Sequence, residues 1–319
     1  MFRFGGPTSQ RSPRPHGPIA LGKVPRHPEF LAARTAREPE ASFDAWLEAG
    51  MEVASYRHGP AWATSSFEGG PVTGFVWRAP RQARADVVLS GLLFPSRDAV
   101  DRHYPFIPCV AVPSRMIENL PHVAPLAFGS FLERVYTASC EYGFLEPGAI
   151  IERLAMVAPP APEEISQAAT EYDVWCDSTR LDTGWSAIFG ENALEHAMST
   201  IHALAAACEP IRGVEMPTVP THVRLPLGNG GPGSAALWLD VVRRLCRWRA
   251  TIPSSFWAIE AGTLVVALGD APPEALGDLW LGDRGVALGY DLTTPRASSD
   301  RPMPSPDLTM RELLDSLSR

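Results

Sequence analysis

Apolar residues recur at helical spacing along much of the chain. Between Glu38 and Arg57, the positions i, i+3, i+4, i+8 and i+11 are apolar, which predicts a helix with one buried face and Ser42 as its N-terminal cap. That face consists of Phe43, Trp46, Leu47, Met51 and Ala54. The same periodicity predicts further helices over residues 124–142, 147–155, 163–176, 192–208, 235–248, 273–279 and 310–317.

Short apolar runs between glycine, proline and polar residues predict the strands. They cover residues 18–22, 73–77, 86–94, 104–112, 221–225, 255–259 and 263–268. The turns between them are short, which favours antiparallel hairpins over parallel strands joined by helices. The predicted fold class is therefore α/β of the α+β kind, with a mainly antiparallel mixed sheet flanked by helices.

A proline-rich segment, Ala158–Pro162, divides the chain into two halves. We predict an N-terminal domain over residues 19–158 and a second, smaller α/β half over residues 163–292. We expect the second half to form its own layer packed on the first, because its helices carry apolar stripes that need covering. Residues 1–18 are predicted to be a disordered tail, and residues 293–319 a Pro/Ser-rich tail with a short terminal helix.

Composition narrows the class of protein. The 319 residues carry a formal net charge of −8, which argues against nucleic acid as a partner. No apolar run approaches the ~20 residues of a membrane span, and the N-terminus lacks the apolar stretch of a secretory signal. The five cysteines form no CxxC pair and are expected to be reduced and buried. We therefore expect a cytoplasmic protein.

The sequence lacks the usual catalytic and metal-binding motifs. There is no HExxH helix for zinc and no GxSxG elbow for a serine hydrolase. His196 and His202 are six residues apart, so they point to different faces of a helix. The glycine run Gly228–Ser234 precedes a helix but has no lysine for a phosphate loop, and we interpret it as a flexible linker. The sequence thus predicts no metal, no cofactor and no catalytic residue.

Two segments concentrate charged residues beside predicted strands. The first is Gly22–Phe30 (GKVPRHPEF), which holds the only lysine of the chain, Lys23. The second is Pro95–Phe106 (PSRDAVDRHYPF), which lies between two apolar strands. On residue types alone, the simplest interpretation is a pair of solvated turns. A buried ion pair between Asp98 and Arg102 that holds the loop is the next, and a recognition surface is the third.

Together these segments resemble the TagF (ImpM) family of type VI secretion-associated proteins. Members of that family carry a GKLP segment, then a helix with D-x-W-L, then a PSxDxxGRxFPL segment. The first is matched by Gly22, Lys23, Pro25, His27 and Phe30. The second is matched by Asp44, Trp46 and Leu47. The third is matched by Pro95, Ser96, Asp98, Val100, Arg102, Pro105 and Phe106. A later PSSFW at residues 253–257 is also similar to a family segment.

The sequence departs from the family at four positions in these loops. Arg26 stands where serine is usual, and Pro28 replaces glycine. Glu29 replaces aspartate, and Asp101 replaces the glycine before the arginine. Proline has no backbone N–H and cannot adopt a positive φ, so we expect the first loop to differ in shape from that of the family.

The resemblance implies a non-catalytic, post-translational regulator of type VI secretion. Members of the family are understood as repressors that bind the forkhead-associated (FHA) scaffold protein of the system. The chain lacks the signature of the phosphatase domain fused to some members, so it resembles the stand-alone form. The residues implied as partner-binding or motif residues are Gly22, Lys23, Pro25, His27, Glu29, Phe30, Trp46, Ser96, Asp98 and Arg102.

Two other functions stay open at this stage. The chain could be a structural or accessory subunit of the type VI secretion apparatus itself. It could also be a hydrolase-type enzyme if the two loops meet in space, with Ser96 as nucleophile, His27 as base and Asp98 as its partner. Lys23 and Arg102 would then supply cations for an anionic group.

Overall fold

A computed structural model describes residues 17–31, 39–59, 61–80, 86–281, 287–294 and 303–318 of the protein. Its strands are β1 Ile19–Gly22, β2 Thr73–Arg78, β3 Val87–Leu93, β4 Phe106–Pro113, β5 His222–Pro226, β6 Ser255–Ala258, β7 Thr263–Ala267 and β8 Tyr290–Asp291. They form one sheet in the order β1-β4-β3-β2-β6-β7-β5-β8. Neighbouring strands are antiparallel except β5 and β8, which are parallel. The predicted mainly antiparallel mixed sheet is confirmed.

Helices cover the sheet on both faces. In the described ranges they are α1 Glu40–His58, α2 Ala124–Ala127, α3 Gly129–Ser139, α4 Pro147–Ala155, α5 Pro162–Ser178, α6 Leu181–Phe189, α7 Ala193–Cys208, α8 Gly231–Cys246, α9 Glu274–Leu279 and α10 Met310–Leu317. None of these helices is both long and apolar enough to span a membrane. The tail predicted at residues 1–18 lies outside the described residues except for its last two positions.

The two halves of the chain share this sheet. Strand β2 of the first half pairs directly with β6 of the second, with Phe75 opposite Phe256. At the junction Gly74 lies under the indole of Trp257, where a Cβ would come within 2.6 Å of Nε1. The expectation that the second half forms its own layer is therefore wrong, because β6 and β7 are buried on both faces and extend the sheet of the first half instead. The boundaries at 158 and 163 stay a prediction.

Each face of the sheet has its own apolar core. Side chains alternate across β2, so Phe75 and Trp77 face one core while Val76 faces the other. The first face is covered by α1 and α9, and the second by helices of both halves, from α2 to α8 together with α10. Because both faces are covered, the strands are almost continuously apolar.

Helix α1 carries the buried face that its periodicity predicted. That face is buried or partly buried against the first core, at Phe43, Trp46, Leu47, Met51 and Ala54. The predicted cap Ser42 is wrong, because the helix begins at Glu40 after Pro39 and Ser42 lies inside its first turn. The ends of most other predicted helices differ from the observed ends by a few residues.

Two differences are larger. The segment predicted as one helix over residues 124–142 is divided at Phe128 into α2 and α3, and this bend buries Phe128 and Phe131 together. Helix α6 was missed, although its buried Leu181, Trp185 and Ile188 have helical spacing. The predicted terminal helix is confirmed as α10, and it packs on the second core through Met310, Leu313 and Leu314.

Candidate functional site

The first motif loop, residues 22–31, is closed at its base by two backbone hydrogen bonds. Gly22 N–H donates to the Leu31 carbonyl at 3.1 Å, and Leu31 N–H donates to the Gly22 carbonyl at 2.7 Å. Gly22 has a φ of +96°, and a Cβ there would lie 1.8 Å from the backbone oxygen of Pro105. Glycine alone meets both conditions, so the shape of the loop depends on Gly22.

The second motif loop, residues 95–106, is organised around one carboxylate. Asp98 Oδ1 accepts hydrogen bonds from the backbone N–H groups of Val100 at 3.0 Å and Arg102 at 2.9 Å. The Asp98 N–H donates to the Arg102 carbonyl at 3.1 Å and closes the turn. Asp101 lies inside this turn with a φ of +68°, a left-handed conformation that aspartate tolerates better than most residues.

The two motif loops meet at Asp98. Lys23 Nζ lies 3.0 Å from Oδ2 of Asp98, and Arg102 Nε donates to the same oxygen at 2.6 Å. Arg102 Nη2 also reaches the Pro28 carbonyl at 2.5 Å. Ser96 Oγ donates to the Lys23 carbonyl at 2.8 Å, which joins the loops a second time. We call Lys23, Ser96, Asp98 and Arg102 the latch.

Asp98 is an ionised carboxylate inside the latch. Its side chain is fully buried, whereas that of Lys23 is 14% exposed and that of Arg102 is 59% exposed. Burial alone would raise the pKa of Asp98, but hydrogen bonds from the Arg102 backbone, from the Lys23 and Arg102 side chains and from the Val100 backbone lower it well below its usual value. The ion pair between Asp98 and Arg102, the second interpretation of this loop, is present with only its carboxylate buried, and Lys23 is a second cation.

The loops meet as a hydrolase site would require, but their polar side chains bind backbone atoms. The Ser96 hydroxyl donates to a carbonyl and is buried. His27 Nδ1 accepts the Glu29 N–H at 3.1 Å, and the His27 carbonyl accepts from Ala99. Asp98 binds two cations instead of an imidazole. The arrangement joins the loops and leaves the proposed nucleophile and base bonded to the main chain.

A second ionic cluster fixes the far side of the second motif loop. Glu68 Oε1 lies 2.8 Å from His103 Nε2 and 3.4 Å from Arg97 Nη1, and Arg97 Nη1 also lies 2.8 Å from Asp101. Glu68 directly follows a short π-helix, Ala63–Phe67, which the sequence analysis missed. The π-helix has no amphipathic period of its own, so only the carboxylate of Glu68 opposite an arginine and a histidine offered a signal.

A third segment packs on the two loops after α3 ends. Tyr142 points inward, where its ring stacks on Phe106 at 4.9 Å and its hydroxyl donates to the Pro95 carbonyl at 2.9 Å. Two residues later Phe144 points outward and is 77% exposed. The Phe144 carbonyl accepts a hydrogen bond from Arg26 Nη1 at 3.2 Å. The turn at residues 140–145 is thereby pinned to the first motif loop.

The remaining motif residues divide into exposed and buried ones. Trp46 lies in the first core, where it stacks on Phe256 at 5.1 Å and donates to the Pro272 carbonyl at 3.1 Å. It therefore supports α1 and has no surface for a partner. Phe30 is partly exposed and packs edge-on against Tyr104 at 5.1 Å. The sequence motifs alone did not distinguish the buried Trp46, which supports the core, from the exposed Phe30, which a partner could contact.

The structure offers little for a metal or a phosphate group. Within the described ranges, no three His, Cys, Asp or Glu side chains come together as metal ligands would. The prediction that the glycine run Gly228–Ser234 is a flexible linker is partly wrong, because α8 begins at Gly231 inside the run. Glycines of this run line an apolar cavity of about 280 Å³ together with Tyr172, Trp175 and Leu237.

Comparison with known proteins agrees with the motif loops. Residues 20–144 match the family model described as the TagF N-terminal domain, type VI secretion system-associated. The chain carries a TagF N-terminal domain. Both motif loops, α1 and all but the last residue of the pinned turn lie within the matched residues, and the expected family resemblance is confirmed. The TagF domain associates the protein with type VI secretion.

Other comparisons add less. A crystal structure of PA0076 from Pseudomonas aeruginosa PAO1 matches with 22% identity and a TM-score of 0.39, over 45% of this chain. The chain spans 64% of the length of that structure. No curated protein sequence matches the chain. The TagF assignment therefore rests on the family match to the N-terminal part.

Proposed function

We propose that this protein is a non-catalytic, post-translational regulator of type VI secretion. In this proposal it acts in the cytoplasm as a repressor by binding the FHA scaffold protein of the system. The support comes from the TagF N-terminal domain, which contains both motif loops.

The latch is the observation that best supports binding over catalysis. A catalytic carboxylate or hydroxyl needs a free lone pair or proton directed at a substrate. Both oxygens of Asp98 already bind Lys23, Arg102 and two backbone N–H groups. The Ser96 hydroxyl donates to a backbone carbonyl. These groups hold two loops in one shape, which is what a protein-binding surface requires.

The proposal is tested by a pull-down and a calorimetric titration of the full-length protein against its cognate FHA scaffold. The variant Lys23→Ala with Arg102→Ala opens the latch, and Arg212→Ala removes an exposed arginine in the second half as a control. We expect tight binding by the wild type and the control, and binding at least tenfold weaker in the latch variant while circular dichroism still reports a folded chain.

The cellular counterpart is secretion by bacteria that overproduce the protein. We expect wild type to reduce type VI secretion and the latch variant to leave it unchanged. If the wild type neither binds the scaffold nor reduces secretion, the regulator proposal fails. A stoichiometric place of the chain in the purified secretion apparatus would instead favour a structural subunit.

A further inference from the structure

The apolar cavity beside the start of α8 lies between the two halves of the chain. Helix α2 contributes Leu126, which belongs to the TagF N-terminal domain. The other walls come from α5, α6 and α8 of the second half, with Leu237 of α8 fully buried. Glu171 and Ala187 also line the cavity and are exposed, so it opens to solvent and a solute can enter.

The size and lining of the cavity fit a small aromatic molecule. Its volume is about 280 Å³, and its walls are formed mostly by leucine, alanine, glycine and aromatic residues. A dry apolar cavity of about 150 Å³ is already large enough to bind benzene, so this one has room for two fused rings. Small-molecule sites in proteins are typically concave and apolar with a few polar groups that fix the orientation of the ligand.

The aromatic wall of the cavity is held in place from behind. Tyr172 is buried, and its hydroxyl donates to Asp240 Oδ2 at 3.3 Å. Arg243 and Arg244 both bind the other oxygen of Asp240, at 2.7 and 3.1 Å. The ring of Trp175 stacks on that of Tyr172 at 6.0 Å. A ligand that covers this wall therefore orders few side chains, which favours binding.

One buried hydroxyl supplies the polar group of the cavity. Ser234 lines the cavity and is only 6% exposed, and its hydroxyl has no hydrogen-bond partner among the described residues. Two glycines leave the space around it open. A Cβ on Gly230 would collide with Ser234 Oγ, and a Cβ on Gly233 would meet no atom within 4 Å. Leaving a buried hydroxyl unpaired costs free energy, so a ligand with a matching polar group gains affinity here.

The charges at the cavity favour an uncharged ligand. Neither lysine nor arginine is among the described residues that line it, and the carboxylate of Glu171 would repel an anion. That carboxylate already accepts a hydrogen bond from Gln167 at 2.8 Å. The planes of Tyr172 and Trp175 differ by only 29°, so their faces do not converge on one point as they do in an aromatic cage for a cation.

We propose that this cavity binds a small uncharged aromatic molecule of two fused rings, with an N–H or hydroxyl group of the ligand bonded to the Ser234 hydroxyl. This inference goes beyond the proposed function and does not depend on it, because neither motif loop lines the cavity. A ligand there contacts α2 of the TagF domain and α8 of the second half together. Binding therefore stabilises the whole folded chain.

The test is a calorimetric titration of the full-length protein with indole, together with its thermal midpoint at increasing indole concentration. Gly233→Leu directs a side chain into the cavity. Gly148→Leu is the matched control, because both glycines follow a proline in the first turn of a helix and a Cβ on either meets no atom within 4 Å. We expect wild type to bind indole with a Kd below about 1 mM and a rising thermal midpoint. Binding should weaken at least tenfold in Gly233→Leu and stay within twofold in Gly148→Leu, with neither variant less heat-stable than wild type.

Three further ligands test the chemical class. Tryptamine carries a positive charge and indole-3-acetate a negative one, and we expect each to bind at least several-fold more weakly than indole. The third, 1-methylindole, lacks the N–H donor. Ser234→Ala should weaken indole binding several-fold, the effect of one lost hydrogen bond, and leave 1-methylindole binding within twofold.

Each result decides one part of the proposal. If wild type does not bind indole up to its solubility limit, or if Gly233→Leu binds it as well as wild type does, the site is wrong. If tryptamine or indole-3-acetate binds more tightly than indole, the uncharged class is wrong. If Ser234→Ala changes the binding of indole and 1-methylindole equally, its hydroxyl is not the polar contact. All of these results leave the regulator proposal standing, because scaffold binding is measured separately and without indole.

Discussion

Lys23, the only lysine of the chain, lies with its Nζ 3.0 Å from the carboxylate of Asp98, 75 residues later in the sequence. The same oxygen of Asp98 already accepts the Nε of Arg102 at 2.6 Å. A compact ammonium fits beside a guanidinium on one oxygen, whereas a second planar guanidinium needs more room. This crowding explains why a lysine stands here in a chain that otherwise uses arginine.

We accordingly expect Lys23→Arg to destabilise the protein as much as a substitution that removes the charge of Lys23. We predict that Lys23→Arg and Lys23→Met each lower the free energy of unfolding by about 1–2 kcal/mol, the scale of a lost charged hydrogen bond. Arg102→Lys should cost less, because that side chain is largely exposed. Urea denaturation measures all three. A Lys23→Arg variant as stable as wild type would contradict the steric argument.

Asp98→Asn tests the charge at the centre of the latch. The variant keeps an oxygen for the backbone N–H groups but leaves Lys23 and Arg102 without a counter-charge, so we expect a loss of about 2–3 kcal/mol at pH 7. The lowered pKa of Asp98 means that its contribution is fully present above the unfolded pKa near 3.8 and disappears as the pH falls towards the folded pKa. The difference in free energy of unfolding between wild type and variant should therefore shrink steadily as the pH falls below about 3.8.

Gly22→Ala tests the base of the first motif loop. A methyl group there would collide with the Pro105 oxygen at a positive φ, so we expect a loss of at least about 2 kcal/mol and weaker scaffold binding. Gly129→Ala is the control, because its Cβ would meet no atom within 4 Å and it lies at the start of α3. That change should be neutral or slightly stabilising. Equal thermal midpoints for the two variants would refute the constraint on Gly22.

Periodicity predicted most of the fold for a physical reason. Helices such as α1 and α4 bury one face, and strands such as β2 and β4 are short apolar runs between turns, so local pattern and final structure agree. Strand order does not leave such a pattern. The pairing of Phe75 with Phe256 joins segments about 180 residues apart, and two apolar strands fit many neighbours equally well.

The motifs of the candidate site were visible in the sequence, but their roles were not. Trp46 and Asp98 belong to equally prominent segments, yet one is a core residue and the other the centre of the latch. Glu68 was missed because its partners lie in another loop. Phe144 was missed because an exposed aromatic residue in a turn carries no periodic signal until its neighbours are placed in space.

His122 provides a pH-dependent prediction in the second core. Burial lowers its pKa to about 4, although the nearby charge of Asp240 favours protonation. The arginines 243 and 244 of α8 also lower it, and Asp173 of α5 opposes them. Between the ordinary value of 6.5 and about 4, the unfolded chain binds a proton that the folded chain does not. Folding stability is therefore expected to fall as the pH decreases through this range.

The measurement is the free energy of unfolding of wild type and His122→Phe from pH 7 to pH 4. Phenylalanine preserves the ring that packs edge-on against Tyr172 and removes the titrating group and its unpaired Nδ1. We expect wild type to lose on the order of 3 kcal/mol more than the variant across this range. Parallel curves would show that another group controls the pH dependence.

The shared sheet predicts that residues 19–158 do not fold alone. Without the second half, β2 loses its partner β6 and becomes an exposed edge between apolar faces. Helix α1 loses Phe256 and the Pro272 carbonyl, both contacts of Trp46, and it also loses its packing on α9. We expect the fragment to aggregate or to lack a cooperative thermal transition.

The control is co-expression of residues 19–158 and 159–319 as two separate chains. If the sheet assembles across β2 and β6, the fragments should purify together as a one-to-one complex and unfold in a single transition. Gly74→Val, which places a side chain against the Trp257 indole at that junction, should prevent their association. A soluble, monomeric fragment 19–158 with cooperative unfolding would restore the boundary at 158 as a true domain boundary, since the first core would then be sufficient without β6 and α9.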